Sequence, residues 1–438
     1  MIYQNQAHLP ITYVQLHFRH LSNELSPALR VLTQRQVLRG TRRSNRECFI
    51  NEVESLGTEL VLTHRRYAHS IGGVVLSRTL PQLVRLLDEA INEPRLDQDE
   101  LAQSKRAYIA ELEARYDDDH AMAWLWLARR LHAQHPLWED YAVDHADIEA
   151  VSIELVREAW SHTFHPEVML PCVTSDRSQE EILEALSILQ RPSPRNMINT
   201  RELDHRSSIL APLSQSTLTL IHKPNKRQAT IFIAHPTLNS NHPQALALEV
   251  ALCALGGTFS SPLMQEVRVK RSLSYGAFAG LKGEANARFI CLNATPDAKD
   301  AVETLEVMLS VLDRGAQGEL SDEAFLFARD YLINAHPFSI ETPAMRAGLS
   351  ANATLLGLDP KRFLETPTLL KPLSAAEIRQ AAIDHISMKH LEVLIYADQE
   401  AELRGAIDKL KSLFPFDRVL SVSSNADAEE LRDRTRES

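Results

Sequence analysis

Arg268 and Tyr275 are two residues of this 438-residue chain whose side chains could take part in catalysis. When water attacks a peptide carbonyl, negative charge builds on the carbonyl oxygen. A fixed phenol O–H or guanidinium near that oxygen stabilises the transition state more than the ground state. A guanidinium also offers a planar set of donors to backbone carbonyls or to a carboxylate. The residues alone leave a second interpretation open, in which Tyr275 is a half-buried strand aromatic and Arg268 a solvated helix end.

The surrounding sequence predicts how these two side chains are positioned. Gly256-Gly257 is typical of a turn that closes a helix, and a further helix is predicted over Pro262–Val269, with Arg268 near its end. Tyr275 lies in a predicted strand, Leu273–Gly280. Because side chains alternate across a strand, the sheet fixes the direction of the tyrosine ring.

The composition narrows the class of protein. Hydrophobic residues make up 44% and charged residues 24% of the chain, as in ordinary globular proteins. The formal net charge is −11 and no basic stripe offsets it, so we expect neither a nucleic-acid partner nor a membrane partner. No secretory signal is visible at the start, which predicts a cytoplasmic protein, or a periplasmic one if an upstream segment is missing. The 4 cysteines stand far apart without a C-x-x-C pair, so we expect buried thiols.

Two short patterns indicate that the chain contains two related halves. Gly40-Thr41 recurs as Gly257-Thr258, and Arg106-Ala107-Tyr108 recurs in looser form as Arg329-Asp330-Tyr331. The two matches follow in the same order at a nearly constant offset. They therefore predict an internal duplication.

The predicted domain boundaries follow from composition. A stretch with two prolines, many charges and no periodicity separates the halves. We expect an N-terminal domain over residues 1–195, a linker over 196–212, a C-terminal domain over 213–420 and a flexible tail over 421–438. Strands grouped in hairpins with helices in runs predict an α+β fold, in which each domain is an antiparallel-rich sheet with helices layered on one face.

Several segments resemble the conserved sequences of the peptidase M16 family, also called the pitrilysin or insulinase family. The stretch Leu255–Arg268 and the following Leu273–Gly276 resemble that family's Gly-rich turn, the helix ending in Arg and the strand carrying Tyr. In the first half, Leu32–Thr41 and the predicted helix Glu100–Glu113 match as well. The resemblance covers most of the chain. It implies two related α+β domains of the LuxS/MPP-like metallohydrolase type, which in family enzymes enclose a peptide.

The first half departs from the family at the zinc-binding motif. Zinc-bearing members carry H-x-x-E-H on one helix face, where two imidazoles hold the metal and the Glu activates water. Here those positions are Val31, Gln34 and Arg35. The family's third ligand is retained as Glu111, while a second family acid is replaced by Ser104. We therefore expect no metal ligand set and no cofactor in this chain, and an Arg35–Glu111 ion pair at the degenerate position.

The resemblance implies a function that depends on a partner. Paired bacterial members of the family divide the work, since one chain bears H-x-x-E-H and the other lacks it but supplies Arg and Tyr. This chain has the second pattern. We expect it to be inactive alone, to form a heterodimer with a homologue that holds the zinc, and to supply Arg268 and Tyr275 to peptide binding and transition-state stabilisation. Self-association is the other possible arrangement.

Other functions remain as alternatives. The chain could be a non-catalytic scaffold or peptide-binding subunit of a larger assembly, as some relatives of the family are. A self-sufficient hydrolase is less favoured, because no nucleophile motif such as G-x-S-x-G is present. His132 and His135 have a spacing that could share a metal, yet a structural role in a loop is the simpler interpretation.

Overall fold

The computed structural model describes residues 1–20, 25–135, 138–190, 210–284, 286–398, 409 and 414–424. The strands in these residues are β1 (Ile2–Asn5), β2 (Ile11–Arg19), β3 (Val61–Arg65), β4 (Ala68–Leu76), β5 (Met169–Ser175), β6 (Thr217–His222), β7 (Thr230–Pro236), β8 (Ser274–Gly283), β9 (Arg288–Pro296), β10 (Glu392–Ala397) and β11 (Arg418–Ser423).

The α-helices of the same residues, in chain order, are α1 (Pro27–Gln36), α2 (Arg46–Ser55), α3 (Leu80–Asn92), α4 (Gln98–Asp117), α5 (Asp119–Leu131), α6 (Trp138–Ala142), α7 (His145–Glu149), α8 (Ile153–Thr163), α9 (Gln179–Leu186), α10 (Ala245–Gly256), α11 (Pro262–Met264), α12 (Ala301–Ala316), α13 (Asp322–Ser339), α14 (Pro343–Leu355), α15 (Lys361–Leu364), α16 (Thr366–Leu370) and α17 (Ala375–His385). A π-helical segment, Gln265–Lys270, continues α11. None of the helices in the described part of the chain combines the length and apolar character needed to cross a bilayer.

The chain divides into two compact units that are not continuous in sequence. Unit 1 comprises residues 1–113, 143–206 and 337–364, and unit 2 comprises residues 114–142, 207–336 and 365–438. The sequence, in contrast, predicts two domains that are each one continuous range. The units differ from those ranges because α5 packs with the strands of the second half, while α14 packs with strands of the first half.

The first sheet forms the centre of unit 1. Its strand order is β1-β5-β2-β4-β3, and β1 pairs with β5 in parallel while the other pairs are antiparallel. Val14, Leu16 and Phe18 alternate along β2 toward a core that includes residues of α3 and α9. Helix α14 contacts Cys172 of β5 through Ala347 and Ala351. Small side chains at that contact allow the helix to approach the sheet closely.

The second sheet forms the centre of unit 2. Its order is β11-β6-β10-β7-β9-β8, so β8 and β11 are its edge strands. One face carries the larger core, with α10, α12 and α17 packed over it. The other face is covered by α5, whose Trp126 is fully buried and whose Trp124 ring centre lies 5.8 Å from those of Phe232 in β7 and Phe289 in β9.

The predicted α+β fold with two domains is confirmed. The two sheets share a strand order. The second sheet contains β6-β10-β7-β9-β8, which corresponds strand for strand to β1-β5-β2-β4-β3 of the first sheet, and it adds β11 beside β6. This is the topology that a duplication would produce. Two details differ from the prediction. Each sheet carries helices on both faces rather than on one, and part of the predicted flexible tail, residues 421–423, belongs to β11. The predicted linker up to residue 209 and the tail from residue 425 lie outside the described residues.

Candidate functional site

The degenerate motif lies on α1 of unit 1, a helix whose start is encoded locally. Ser26 caps it by accepting a hydrogen bond from the backbone N–H of Leu29, and Pro27 occupies the first helical position, where no donor is needed. Positions 31, 34 and 35 stand one turn apart on this helix and so share a face. Val31 and Gln34 are buried, and Arg35 is partly buried.

Gln34 and Arg35 each contact neighbouring residues of unit 1. The side-chain amide of Gln34 donates to the carbonyl of Thr63, with 2.9 Å between nitrogen and oxygen. Arg35 lies over the ring of Tyr108, with its guanidinium carbon 4.8 Å from the ring centre. It also contacts the acid that remains from the family's ligand set: the Nη2 atom of Arg35 lies 2.6 Å from Oε2 of Glu111. The predicted Arg35–Glu111 ion pair is confirmed.

Ser104, which stands where the family has a second acid, is fully buried on α4. Its hydroxyl accepts a hydrogen bond from the side-chain amide of Gln36 at 2.9 Å. An amide and a hydroxyl therefore link α1 to α4. The residues at this position do not fit a zinc ion, since a valine, an amide and a guanidinium offer no imidazole and no thiolate, and a guanidinium repels a cation.

The second predicted site lies in unit 2, and the structure brings its two residues together. Arg268 is on the π-helical segment and Tyr275 on β8, and the guanidinium carbon lies 4.3 Å from the centre of the phenol ring. The same guanidinium lies 5.3 Å from the ring centre of Phe259. Both distances are within the range of a cation–π interaction, so the arginine is held between two aromatic rings.

Local hydrogen bonds fix the backbone that carries Tyr275. The pairing of β8 with β9 is irregular between Ser274 and Ala277, which is where Tyr275 lies. The Ser274 hydroxyl donates to the carbonyl of Gly276 at 2.9 Å and accepts from the backbone N–H of Thr295 at 3.2 Å. A bulge of this kind redirects a side chain. The result is a tyrosine that is 84% exposed on a strand at the edge of its sheet.

The chemical environment of the Arg268–Tyr275 pair is cationic and aromatic. Glu266, the nearby acid on the same segment, forms ion pairs with Lys270 and Arg271. Within the described part of the chain, Arg268 has no carboxylate at ion-pair distance. Its donors are therefore available to a carbonyl or a carboxylate from another molecule.

His132, which with His135 has a spacing that could share a metal, has a structural role. His132 follows α5, is buried, and its Nδ1 atom lies 2.8 Å from the carbonyl oxygen of Ala128. This contact satisfies a carbonyl at the end of α5, as expected for a C-terminal cap.

Sequence reasoning missed a different group of histidines. His20, His64 and His69, here called the histidine cluster, bring one nitrogen each to within 4.8 Å of the others, and the described residues contain no other group of three possible ligands this close. His64 and His69 form a cross-strand pair on β3 and β4. Their separation of five residues in a predicted hairpin was the available signal, but His20 comes from a distant segment.

Comparison with known proteins gives a consistent result. A family model described as peptidase M16 inactive domain matches residues 150–332. The "non-peptidase homolog YmxG" of Helicobacter pylori is 21% identical over 412 residues, which cover 92% of this chain and 92% of that protein. An uncharacterized zinc protease of Streptomyces coelicolor is 19% identical over 307 residues, covering 69% of this chain and 66% of that protein.

Solved structures show the same fold. A peptidase M16 inactive domain from Pseudomonas fluorescens superposes with a TM-score of 0.80 at 17% identity, covering 90% of this chain and 94% of that one. A protease from Helicobacter pylori superposes with a TM-score of 0.72 at 14% identity, covering 88% of this chain and 94% of that one.

Proposed function

The chain belongs to the peptidase M16 family as a homologue without the zinc-binding motif, and from this premise we propose that it acts as the non-zinc subunit of an M16-type peptidase. In this proposal it forms a heterodimer with a homologue that carries H-x-x-E-H. The partner supplies the zinc and the water-activating glutamate. This chain supplies Arg268 and Tyr275 to the binding of the peptide and to the stabilisation of the transition state.

The substituted motif supports the requirement for a partner. Hydrolysis of a peptide bond by a family enzyme needs an activated water, and Val31, Gln34 and Arg35 provide neither a metal ligand nor a base. The Arg35–Glu111 ion pair occupies the one family ligand that remains. The chain alone is therefore expected to be inactive as an M16 peptidase.

The single observation that carries the proposal is the contact between Arg268 and Tyr275. The tyrosine lies exposed on an edge strand. A large aromatic side chain that is 84% exposed loses the benefit of burial, so its retention in a fixed geometry favours a role in binding. The phenol O–H can donate to an oxyanion and the guanidinium can bind a carbonyl or a carboxylate. Both groups are positioned before substrate arrives, which reduces the cost of ordering them.

The strand that carries Tyr275 also suits an extended peptide. β8 is an edge strand, so one side of its backbone has no partner strand within the sheet. An extended peptide can add to such an edge through main-chain hydrogen bonds. Phe278 on the same strand is 53% exposed and would provide an apolar contact for a side chain of the peptide.

The proposal predicts that Tyr275→Phe lowers the activity of the reconstituted pair. The experiment mixes the purified chain with its H-x-x-E-H homologue and measures kcat and KM on a peptide. Loss of one transition-state donor is expected to lower kcat by about 10²-fold or more. Tyr331→Phe is the matched control, because Tyr331 is a 46% exposed tyrosine on α13 outside the site, and it should leave kcat unchanged.

The second candidate function is that of a scaffold or peptide-binding subunit without a catalytic contribution. The loss of the zinc motif together with the buried Ser104–Gln36 hydrogen bond favours it, since this region now serves stability. An unchanged kcat in the Tyr275→Phe pair would support the scaffold and contradict the catalytic role. A rise in KM alone would indicate peptide binding without transition-state stabilisation.

A further inference from the structure

We propose that the histidine cluster, His20, His64 and His69, is a binding site for a divalent transition-metal ion of the zinc type. The site is distinct from the family's motif on α1, whose substituted residues provide no ligand. It lies entirely in unit 1 and does not depend on the proposed partner. Three adjacent strands bring the ligands together at one end of the first sheet.

Strand register explains why these histidines meet. His64 of β3 lies directly opposite His69 of β4. His69 lies opposite Phe18 of β2 on its other side, and His20 follows the end of β2. His20 lies two residues beyond Phe18, and its ring reaches the His64–His69 pair at this end of the sheet.

The distances between the ring nitrogens suit tetrahedral coordination. The Nδ1 atoms of His64 and His69 are 3.1 Å apart, and one nitrogen from each of the three rings lies within 4.8 Å of the others. Two imidazole nitrogens bound tetrahedrally at the usual zinc distance are about 3.3 Å apart. The 3.1 Å separation also allows a hydrogen bond between two neutral rings, so small movements would convert one arrangement into the other.

Neighbouring groups fix the orientation of the His20 and His69 rings, as neighbouring groups do for histidines in metal sites. His20 Nδ1 lies 2.8 Å from the carbonyl oxygen of Arg66, and a ring N–H donated to a backbone carbonyl leaves the lone pair on Nε2. His69 is fully buried and stacks on Phe164, with ring centres 6.0 Å apart. Because His69 would bind the ion through Nδ1, which lies beside His64, its Nε2 atom takes no part in the site and has no hydrogen-bond partner in the described part of the chain.

The rings of His64 and His69 are neutral at neutral pH. Loss of water around its ring, with smaller contributions from the charges of Arg30, Arg35 and Arg66, lowers the pKa of His64 to about 4, although the residue as a whole is exposed. Burial and the neighbouring rings also lower the pKa of His69 well below its ordinary value. Neutral imidazoles bind metal without first releasing a proton. The arginines reduce the affinity for any cation, and the absence of a carboxylate in the set disfavours magnesium and calcium.

Three nitrogen ligands leave a fourth position for water. The set resembles the ligands of catalytic zinc sites in composition, but the charged groups that influence His64 are guanidinium ions, and none of them can act as a general base at neutral pH. We therefore assign the cluster a binding role in which the ion joins β2, β3 and β4, and we do not assign it hydrolysis.

The test measures metal binding by the full chain after treatment with a chelator and dialysis. Titration calorimetry with Zn²⁺ and the visible spectrum with Co²⁺ give the stoichiometry and the coordination. His64→Gln is the principal variant because His64 is exposed and its replacement should preserve the fold. His20→Gln is the second variant, and the exposed His8, outside the cluster, provides the control His8→Gln.

We expect one equivalent of Zn²⁺ in the natural chain and in His8→Gln, a tetrahedral Co²⁺ spectrum, and a rise in Tm with zinc. Both cluster variants should bind Zn²⁺ at least about 10-fold more weakly, because even the loss of a residue that only hydrogen-bonds to a metal ligand weakens metal binding by about that factor. Equal affinity in His64→Gln and the natural chain would overturn the proposal, as would the absence of any bound equivalent. Neither result bears on the role of Tyr275, whose test measures kcat of the assembled pair.

Discussion

The residues that replace the zinc motif are each adapted to a buried or half-buried environment. Val31 joins an apolar interior, Gln34 donates to a strand carbonyl, and Arg35 lies between Tyr108 and Glu111. The ion pair itself is partly exposed, with 57% of the Glu111 side chain accessible, so its contribution to stability is expected to be under about 1 kcal/mol. Val31, Gln34 and Arg35 therefore provide no zinc ligand at this position and belong to a well-packed helix.

Among single residues, His235 makes the clearest prediction about pH. It is buried in β7, where burial lowers its pKa to about 4 despite a hydrogen bond to Pro236 that favours the charged form. Its Nε2 accepts from the backbone N–H of Ser387 at 3.4 Å, which requires the neutral ring. Because the unfolded chain has a pKa near 6.5, the unfolded state takes up the proton first. The stabilisation is complete above pH 6.5 and is lost as the pH falls toward 4.

Replacing the titrating ring should flatten that pH dependence. His235→Gln keeps a donor and an acceptor but does not ionise in this range. Between pH 7 and pH 4 the natural chain should lose about 3 kcal/mol more free energy of unfolding than the variant. Urea unfolding at several pH values measures the difference, and identical slopes for the two proteins would contradict the assignment.

Contacts between single residues could be predicted from the sequence only where the spacing of the residues matched a known motif. The Arg35–Glu111 pair and the choice of Arg268 and Tyr275 followed from the resemblance to the family's motifs, which fixes the spacing of these residues. The histidine cluster did not, because His20 and His64 are brought together by strand pairing rather than by a local motif. Register of this kind is decided by the whole sheet and cannot be read from a short segment.

At the scale of elements, the close contact between α10 and β8 positions Tyr275. A Cβ atom added to Gly256 would lie 2.6 Å from the Cβ of Ala279 and 2.7 Å from its backbone nitrogen. Glycine at this position allows the helix to lie against the strand. The Gly-rich turn identified from sequence is therefore explained by packing, since Gly256 does not have a positive φ.

Gly256→Ala is expected to destabilise unit 2 by about 1–3 kcal/mol, because the added methyl overpacks the contact with the backbone of β8. Urea unfolding of the full chain measures the effect. Gly348→Ala provides the comparison, since nothing lies within 4 Å of its added Cβ and alanine is the better helix former by about 0.5–1 kcal/mol. A loss of stability in Gly348→Ala as large as that in Gly256→Ala would show that packing is not the cause.

The exchange of α5 and α14 between the sequence halves was beyond prediction from local patterns. Most apolar residues of α5 are buried. An amphipathic pattern shows that a face is covered but does not show which sheet covers it. The end of β11 was assigned to the tail because Ser421 begins a polar and charged stretch, although buried and exposed residues alternate from Leu420 to Ser423.

At the scale of the whole molecule, a buried ion pair joins α5 to the second sheet. The Nη2 atom of Arg130 lies 2.9 Å from Oε2 of Glu392, and the side chains are 5% and 1% exposed. Thr219 donates to the other carboxylate oxygen at 2.5 Å. A pair buried this deeply specifies how the helix is placed, because either charge without its partner is costly in the interior.

Arg130→Met should lower the free energy of unfolding by about 3–5 kcal/mol, since it leaves the Glu392 carboxylate buried and uncompensated. The double variant Arg130→Met with Glu392→Leu removes both charges and should recover part of that loss. Urea unfolding of the three proteins tests this. A double variant less stable than Arg130→Met would argue against an electrostatic origin.

The position of α14 in the chain also has a consequence for biosynthesis. The strands of the first sheet are complete when Ser175 has been translated, but the helix that covers their second face ends at Leu355. At roughly 5–20 residues per second, the ribosome needs on the order of 10–40 s to cover that interval. During this time the nascent sheet has one uncovered face, so the N-terminal part of the protein is expected to need a chaperone until most of the chain has emerged.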